Sequence, residues 1–177
     1  MAWKKVCLPK KEGGLGLKDL SAWSKAFMCK QFWRIHVRKE VLWTSWIHDK
    51  YLGVTNALEW AAQERDSPLI KAIIQARDEI GLQQGRLGTV EDHIQDWSIG
   101  GKFVIAKAYD YFRRQGVPVR WDGVVWDSSN TPKHAFILWM AMLGKLSTYD
   151  RLHFIDVESD SCSVCVDVLE THEHLFF

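Results

Sequence analysis

Apolar residues along this chain recur mostly at helical spacing. Ala22, Ala26, Cys29 and Trp33 follow one another at intervals of four, three and four. That is one face of an α-helix. Trp23 and Phe27 widen the stripe, and Asp19 or Ser21 supplies an N-cap. Cys29 on this face reads as a core residue rather than a ligand. A second helix is predicted from about Glu40 to Leu52, packing through Val41, Trp43, Trp46 and Ile47. Ser67-Pro68 starts a third, with Leu69, Ile70, Ile73 and Ile74 facing inward. Gly81, Gly85 and Gly88 then loosen the chain, which predicts a linker over 81–92.

The pattern changes briefly at Trp97–Val104, where Gly100-Gly101 separates two short alternating runs and predicts a hairpin. A helix follows through Ala106, Ala108, Tyr109 and Phe112, and Gly116 and Pro118 end it. Trp121 and Trp126 read as anchors in a loop over 119–130. Thr131-Pro132 caps a helix that is apolar on nearly every side from Ala135 to Leu143, so it is expected to be central and buried. Gly144 ends it, and Ser147 or Thr148 caps a short helix through Leu152. Residues 1–17, broken by Pro9 and a glycine cluster, read as an arm. The fold class expected is mainly α: a helical bundle with one small β-hairpin.

Composition narrows the class. Of 177 residues 47% are hydrophobic, enough for a packed core. The run Ala135–Leu143 is far short of the roughly 20 apolar residues that span a bilayer. Net charge is only +1, but it is unevenly placed. Residues 1–53 hold eleven Lys or Arg against four acids, and residues 155–177 hold six acids with no Lys or Arg. A basic front can follow a phosphate backbone, but on charge alone a solvated helix face is the favoured reading.

The chemistry lies at the C-terminal end. Cys162 and Cys165 are spaced as a knuckle turn, and His174 follows after eight intervening residues. Thiolate and imidazole are zinc ligands, and a tetrahedral structural site takes four. Cys162, Cys165 and His174 supply three, with His172 as the candidate fourth. Four cysteines and no apolar leader point to a reducing, intracellular compartment, nuclear or cytoplasmic, where Cys-x-x-Cys signals metal or redox chemistry. The alternatives fit less well. A zinc deaminase orders its motif the other way, and His172-Glu173-His174 is too tight for the zincin spacing. Neither Gly101-Lys102-Phe103 nor Gly144-Lys145-Leu146 makes a phosphate loop.

These residues also carry a resemblance. Trp3, Val6-Cys7-Leu8-Pro9-Lys10 and Glu12 to Leu20, then Lys25-Ala26, Lys30 and Trp33-Arg34, resemble the segment after the polymerase in plant LINE-type (non-LTR) retrotransposon reverse transcriptases. Asp96-Trp97, Gly101-Lys102-Phe103, Lys107 to Asp110, Trp126 and Thr131-Pro132-Lys133 resemble the zinc-binding region that follows. So do Phe136, Leu138-Trp139, Gly144 to Thr148, Asp150 to Leu152, Cys162, Cys165, Glu170-Thr171 and His174 to Phe177. The resemblance implies three segments: 1–53 as the basic post-polymerase region, 54–95 as a divergent helix and linker, and 96–177 as the zinc-binding region. In the family a cysteine closes the knuckle a few residues past His174, so the knuckle here is expected to be truncated at its C-terminal end. The implied role lies beside the polymerase, holding template RNA or target DNA, with zinc as cofactor. Lys4, Lys5, Lys10, Lys11, Lys18, Lys25, Lys30 and Arg34 are the candidate phosphate contacts. No Tyr/Phe-x-Asp-Asp signature and no adjacent aspartate pair occurs, so this segment is not expected to polymerise. The rival reading is a helical relic or protein-interaction module that binds no nucleic acid.

Overall fold

In the computed structural model the described residues are 2–39, 41–82, 89–151, 161–162, 165 and 167–176. In chain order the elements are α1 (Trp3–Val6), α2 (Leu20–His36), α3 (Leu42–Ile47), α4 (Pro68–Leu82), α5 (Val90–Asp96), β1 (Ser98–Ile99), β2 (Lys102–Phe103), α6 (Ile105–Phe112), α7 (Asp122–Val125), α8 (Pro132–Met142) and α9 (His172–Phe176). The fold is mainly α with one two-stranded antiparallel hairpin, as the sequence predicts. The chain divides into two compact units, Lys18–Arg114, and Met1–Leu17 together with Gln115–Phe177. These units do not follow the segment boundaries at 53 and 95 that the resemblance suggests.

In the first unit, Lys18–Arg114, α2 is the centre and packs against α4 and α6. The Asp19 carboxylate accepts from the Ser21 and Ala22 N–H groups at 2.9 and 3.4 Å, which fixes the helix start. Ala22, Ala26, Cys29 and Trp33 are buried as the period requires, joined by Phe32 and Ile35. Each large apolar side chain so buried contributes about 1.5–3 kcal/mol. Trp23 and Phe27 do not widen the buried stripe: they stay 44% and 39% exposed and stack on each other.

The predicted helix over Glu40–Leu52 is shorter in its α-helical part. α3 gives way to a single π turn over His48–Leu52, and Gly53 at φ 55° ends it. Ile47 packs, but Val41 and Trp46 are exposed. The Thr44 hydroxyl reaches back to the Lys39 and Val41 carbonyls and sets the helix start. In α4 the Ser67 hydroxyl accepts from the Ile70 N–H, and Ile70, Ile73 and Ile74 are buried while Leu69 is not. The buried Arg77 guanidinium donates to the Ala57 and Trp60 carbonyls at 3.0 and 2.6 Å, holding the incoming loop.

The expected linker over 81–92 is helical at both ends: α4 reaches Leu82, and α5 starts at Val90. Residues 83–88 lie outside the described residues. Thr89 and Asp92 form a reciprocal capping box at the start of α5. The hairpin pairs Ser98 with Phe103 and Ile99 with Lys102. Gly100 and Gly101, at φ 56° and 69°, make the two-residue turn that the sequence predicts.

In the second unit, residues 1–17 are not a loose arm. Leu15 N–H donates to the Val6 carbonyl and Gly16 N–H to the Leu8 carbonyl, folding the segment on itself. Gly14 sits so close to that turn that a Cβ would lie 2.0 Å from the Leu8 oxygen. The segment is then tied to the C-terminal part. Val119 N–H donates to the Lys11 carbonyl, Gly116 N–H to the Glu12 carboxylate, and Trp139 Nε1–H to the Gly13 carbonyl at 3.0 Å. α8 is capped by Thr131 as expected. It is not buried all round, however. Ala135, Trp139 and Ala141 are buried, and Phe136, Ile137 and Met142 are exposed. The predicted short helix after Thr148 is a 3-10 turn over Tyr149–Arg151; Leu152 lies outside the described residues.

Candidate metal centre

The site is assembled from a turn and a helix. Ser161 bridges Leu169, and Cys162 N–H donates to the Val168 carbonyl at 2.7 Å. This closes a small loop that carries both sulfurs. Thr171 then caps α9, its hydroxyl accepting from the His174 N–H at 3.2 Å. The cap sets the helix start so that His174 turns toward the loop.

Cys162 Sγ, Cys165 Sγ and a ring nitrogen of His174 all lie within 4.8 Å of one another. Cys165 Sγ is 3.2 Å from His174 Nε2. Ligand atoms around a tetrahedral zinc stand about 3.3–3.8 Å apart. The three groups therefore fit the ion with a small contraction, and two sulfurs with one imidazole are a zinc donor set. Cys162 is buried and anchors the site; Cys165 and His174 are exposed. The Cys165 thiol is lowered from 9.0 to about 7. The first cause is hydrogen bonding from the Asp167 backbone, then from the Val168 backbone; His174 and Cys162 add to it. A sulfur held this way is readily ionised, the form in which it binds metal.

His172, the candidate fourth ligand, is not part of the group. Its Nε2 lies 2.7 Å from the Ala141 carbonyl, which turns the ring away to brace α9 against the end of α8. Cys29 is a core residue, as expected. Burial, with the nearby Glu79 charge, pushes its thiol up to about 12. What the sequence could not reveal is the backbone: the amides of Asp167 and Val168 have no side-chain signature. The Thr171 cap was readable, since a threonine three residues before His174 is a helix-start signal.

The eight basic candidates are divided between the two units. Lys4, Lys5, Lys10 and Lys11 belong to one unit, and Lys18, Lys25, Lys30 and Arg34 to the other. Lys10 lies over the Trp126 ring at 4.5 Å and Lys18 over Tyr109 at 4.4 Å. Lys25 is paired with Glu79 at 2.5 Å, so its charge is already met. Lys30 and Arg34 line a cavity of about 440 Å³ together with Lys39 and Lys102. Among the described residues no helix is long and apolar enough to cross a membrane.

Comparison with known proteins agrees with this geometry. A ribonuclease H protein of Arabidopsis thaliana, so named, is 45% identical over 49 residues, 28% of this chain and 8% of that protein. An uncharacterised mitochondrial protein of the same plant is 31% identical over 100 residues, 55% of this chain and 64% of that protein. The chain thus spans less than two thirds of either relative. No solved structure matches it. The resemblance read from the sequence is borne out in its C-terminal part: residues 103–177, which hold Cys162, Cys165 and His174, match the family described as zinc-binding in reverse transcriptase.

Proposed function

We propose that this chain is a non-catalytic, zinc-binding segment of a LINE-type retrotransposon reverse transcriptase polyprotein, and that it holds RNA or DNA beside the polymerase. The observation that carries the reading is the convergence of two sulfurs and one imidazole at the end of the family-matched segment. Zinc bound there would cross-link the Ser161–Leu169 loop to α9. Cys162 supplies a buried, fixed sulfur, Cys165 an easily ionised one, and His174 a ring nitrogen aimed by the Thr171 cap. Two thiolate ligands suit a reducing intracellular compartment, nuclear or cytoplasmic.

Cobalt titration of chelator-treated protein tests the site. The expected result is one equivalent bound with the visible bands of a tetrahedral, sulfur-ligated ion, abolished in Cys162→Ser and in His174→Ala. His172→Ala should leave the bands in place. Bands that persist unchanged in both ligand variants would refute the assignment. The interaction-module reading has one observation in its favour, the exposed Phe136, Ile137 and Met142 on α8. Binding to nucleic acid that weakens with salt separates the two, because phosphate contacts release counterions.

A further inference from the structure

We infer that the exposed flank of α2, and the cationic cleft it leads into, form a track for single-stranded nucleic acid. This rests on the proposed nucleic-acid role and gives it a place. Trp23, Phe27, Lys30 and Arg34 follow at intervals of four, three and four, so they share one helical stripe. The stripe is aromatic at its start and basic at its end. Trp23 and Phe27 are exposed and stacked, with ring centroids 6.2 Å apart.

At the C-terminal end of the stripe the chain turns at Val37–Lys39, and two cavities of about 440 and 750 Å³ open there, sharing Trp33, Lys39 and Gly101. Lys30, Arg34, Arg38, Lys39 and Lys102 line them, and no described carboxylate does. α2 itself contains no acid. Nearby Asp96 is held by Lys107 at 2.9 Å and Glu79 by Lys25. At that end of α2, Arg38 N–H donates to the Ile35 oxygen and Lys39 N–H to the Arg34 oxygen.

Arg38 gives the strongest pointer. It sits at φ 49°, the left-handed position where a helix end normally takes glycine. An uncommon backbone conformation is thus held at a residue that lines the cleft. Aromatic faces for bases beside a groove in which the described charged residues are all cations are what a single strand requires.

The test uses the full zinc-loaded chain and labelled single-stranded oligothymidylate and oligouridylate, read by anisotropy over a range of salt. Arg38→Gly should bind about five- to tenfold more weakly at low salt. Its melting temperature should not fall, since glycine suits the backbone there. The triple variant with Lys39→Ala and Lys102→Ala added should flatten the log affinity against log salt slope by about 2 relative to wild type. Trp23→Ala with Phe27→Ala should weaken binding about tenfold and leave that slope alone. If the wild-type chain does not bind even at low salt, this inference and the nucleic-acid role both fall. If it binds, and only Lys4, Lys5, Lys10 and Lys11 to Ala reduces binding, the role stands and the track is wrong. Equal binding of polyglutamate would overturn the track in favour of an acidic protein partner.

Discussion

Cys165 is the residue whose surroundings make the sharpest statement about pH. Its thiol is lowered from 9.0 to about 7, chiefly by the Asp167 backbone. A group whose folded pKa is depressed contributes stability that is full above its unfolded pKa and is lost as pH falls through the folded one. The window here is about 9 down to 7. Metal affinity follows the same proton, because the ligand is the thiolate. Zinc affinity, measured against a competing chelator, should fall as pH drops from about 8 to 6, but less steeply than for a thiol ligand left at 9.0, which is already protonated throughout that range. A pH-independent affinity would contradict this. In metal-free protein at neutral pH, alkylation should mark Cys165 first. Cys29, pushed up to about 12 and buried, should react only on unfolding. Mass spectrometry of the labelled peptides reads the order. The two sulfurs and the imidazole were legible as residue types at a spacing. Whether His172 joins them as a fourth ligand was not, because nothing local shows what its ring meets. In the structure its Nε2 meets the Ala141 carbonyl, an atom 31 residues away in sequence.

At the scale of elements, α2 was legible because its cap and its period agree, and the hairpin because Gly100-Gly101 names its turn. α5 was not. Its sequence VEDHIQD offers few apolar positions after a glycine-rich stretch, so periodicity had little to find. It stands instead on the Thr89–Asp92 box, whose hydrogen bonds also hold the Asp92 carboxyl below its usual range. Thr89→Ala should therefore cost about 1 kcal/mol in denaturant unfolding. Thr89→Ser should recover most of it, and an unchanged midpoint for Thr89→Ala would show the box to be idle. The same limit explains Trp23 and Phe27. A hydrophobic stripe can be drawn through either flank of α2, and only the positions of α4 and α6 reveal which flank is covered.

At the scale of the molecule, the unit that holds the metal group is built from both ends of the chain. No local pattern announces such a pairing; glycines and a proline near the start read equally well as a loose arm. The joining contacts are backbone carbonyls of residues 11 and 13 meeting Val119 and the Trp139 indole. Their position depends on Gly14, whose missing Cβ lets the turn close on the Leu8 carbonyl. Gly14→Ala must push that turn open. The indole N–H would then lose its acceptor in a buried setting, a cost of about 1–3 kcal/mol. α8 holds Trp139 and also Ala141, which braces His172 of α9. Loosening the N-terminal turn should therefore reach the metal group along α8. The expected outcome for Gly14→Ala is faster amide exchange in α8 and weaker zinc binding, although the substitution is more than a hundred residues from any ligand. Trp139→Phe removes the same hydrogen bond from its other end and should reproduce the effect in milder form. Zinc affinity equal to wild type in both variants, with exchange in α8 raised, would show that the group is held by its own loop and by α9 alone.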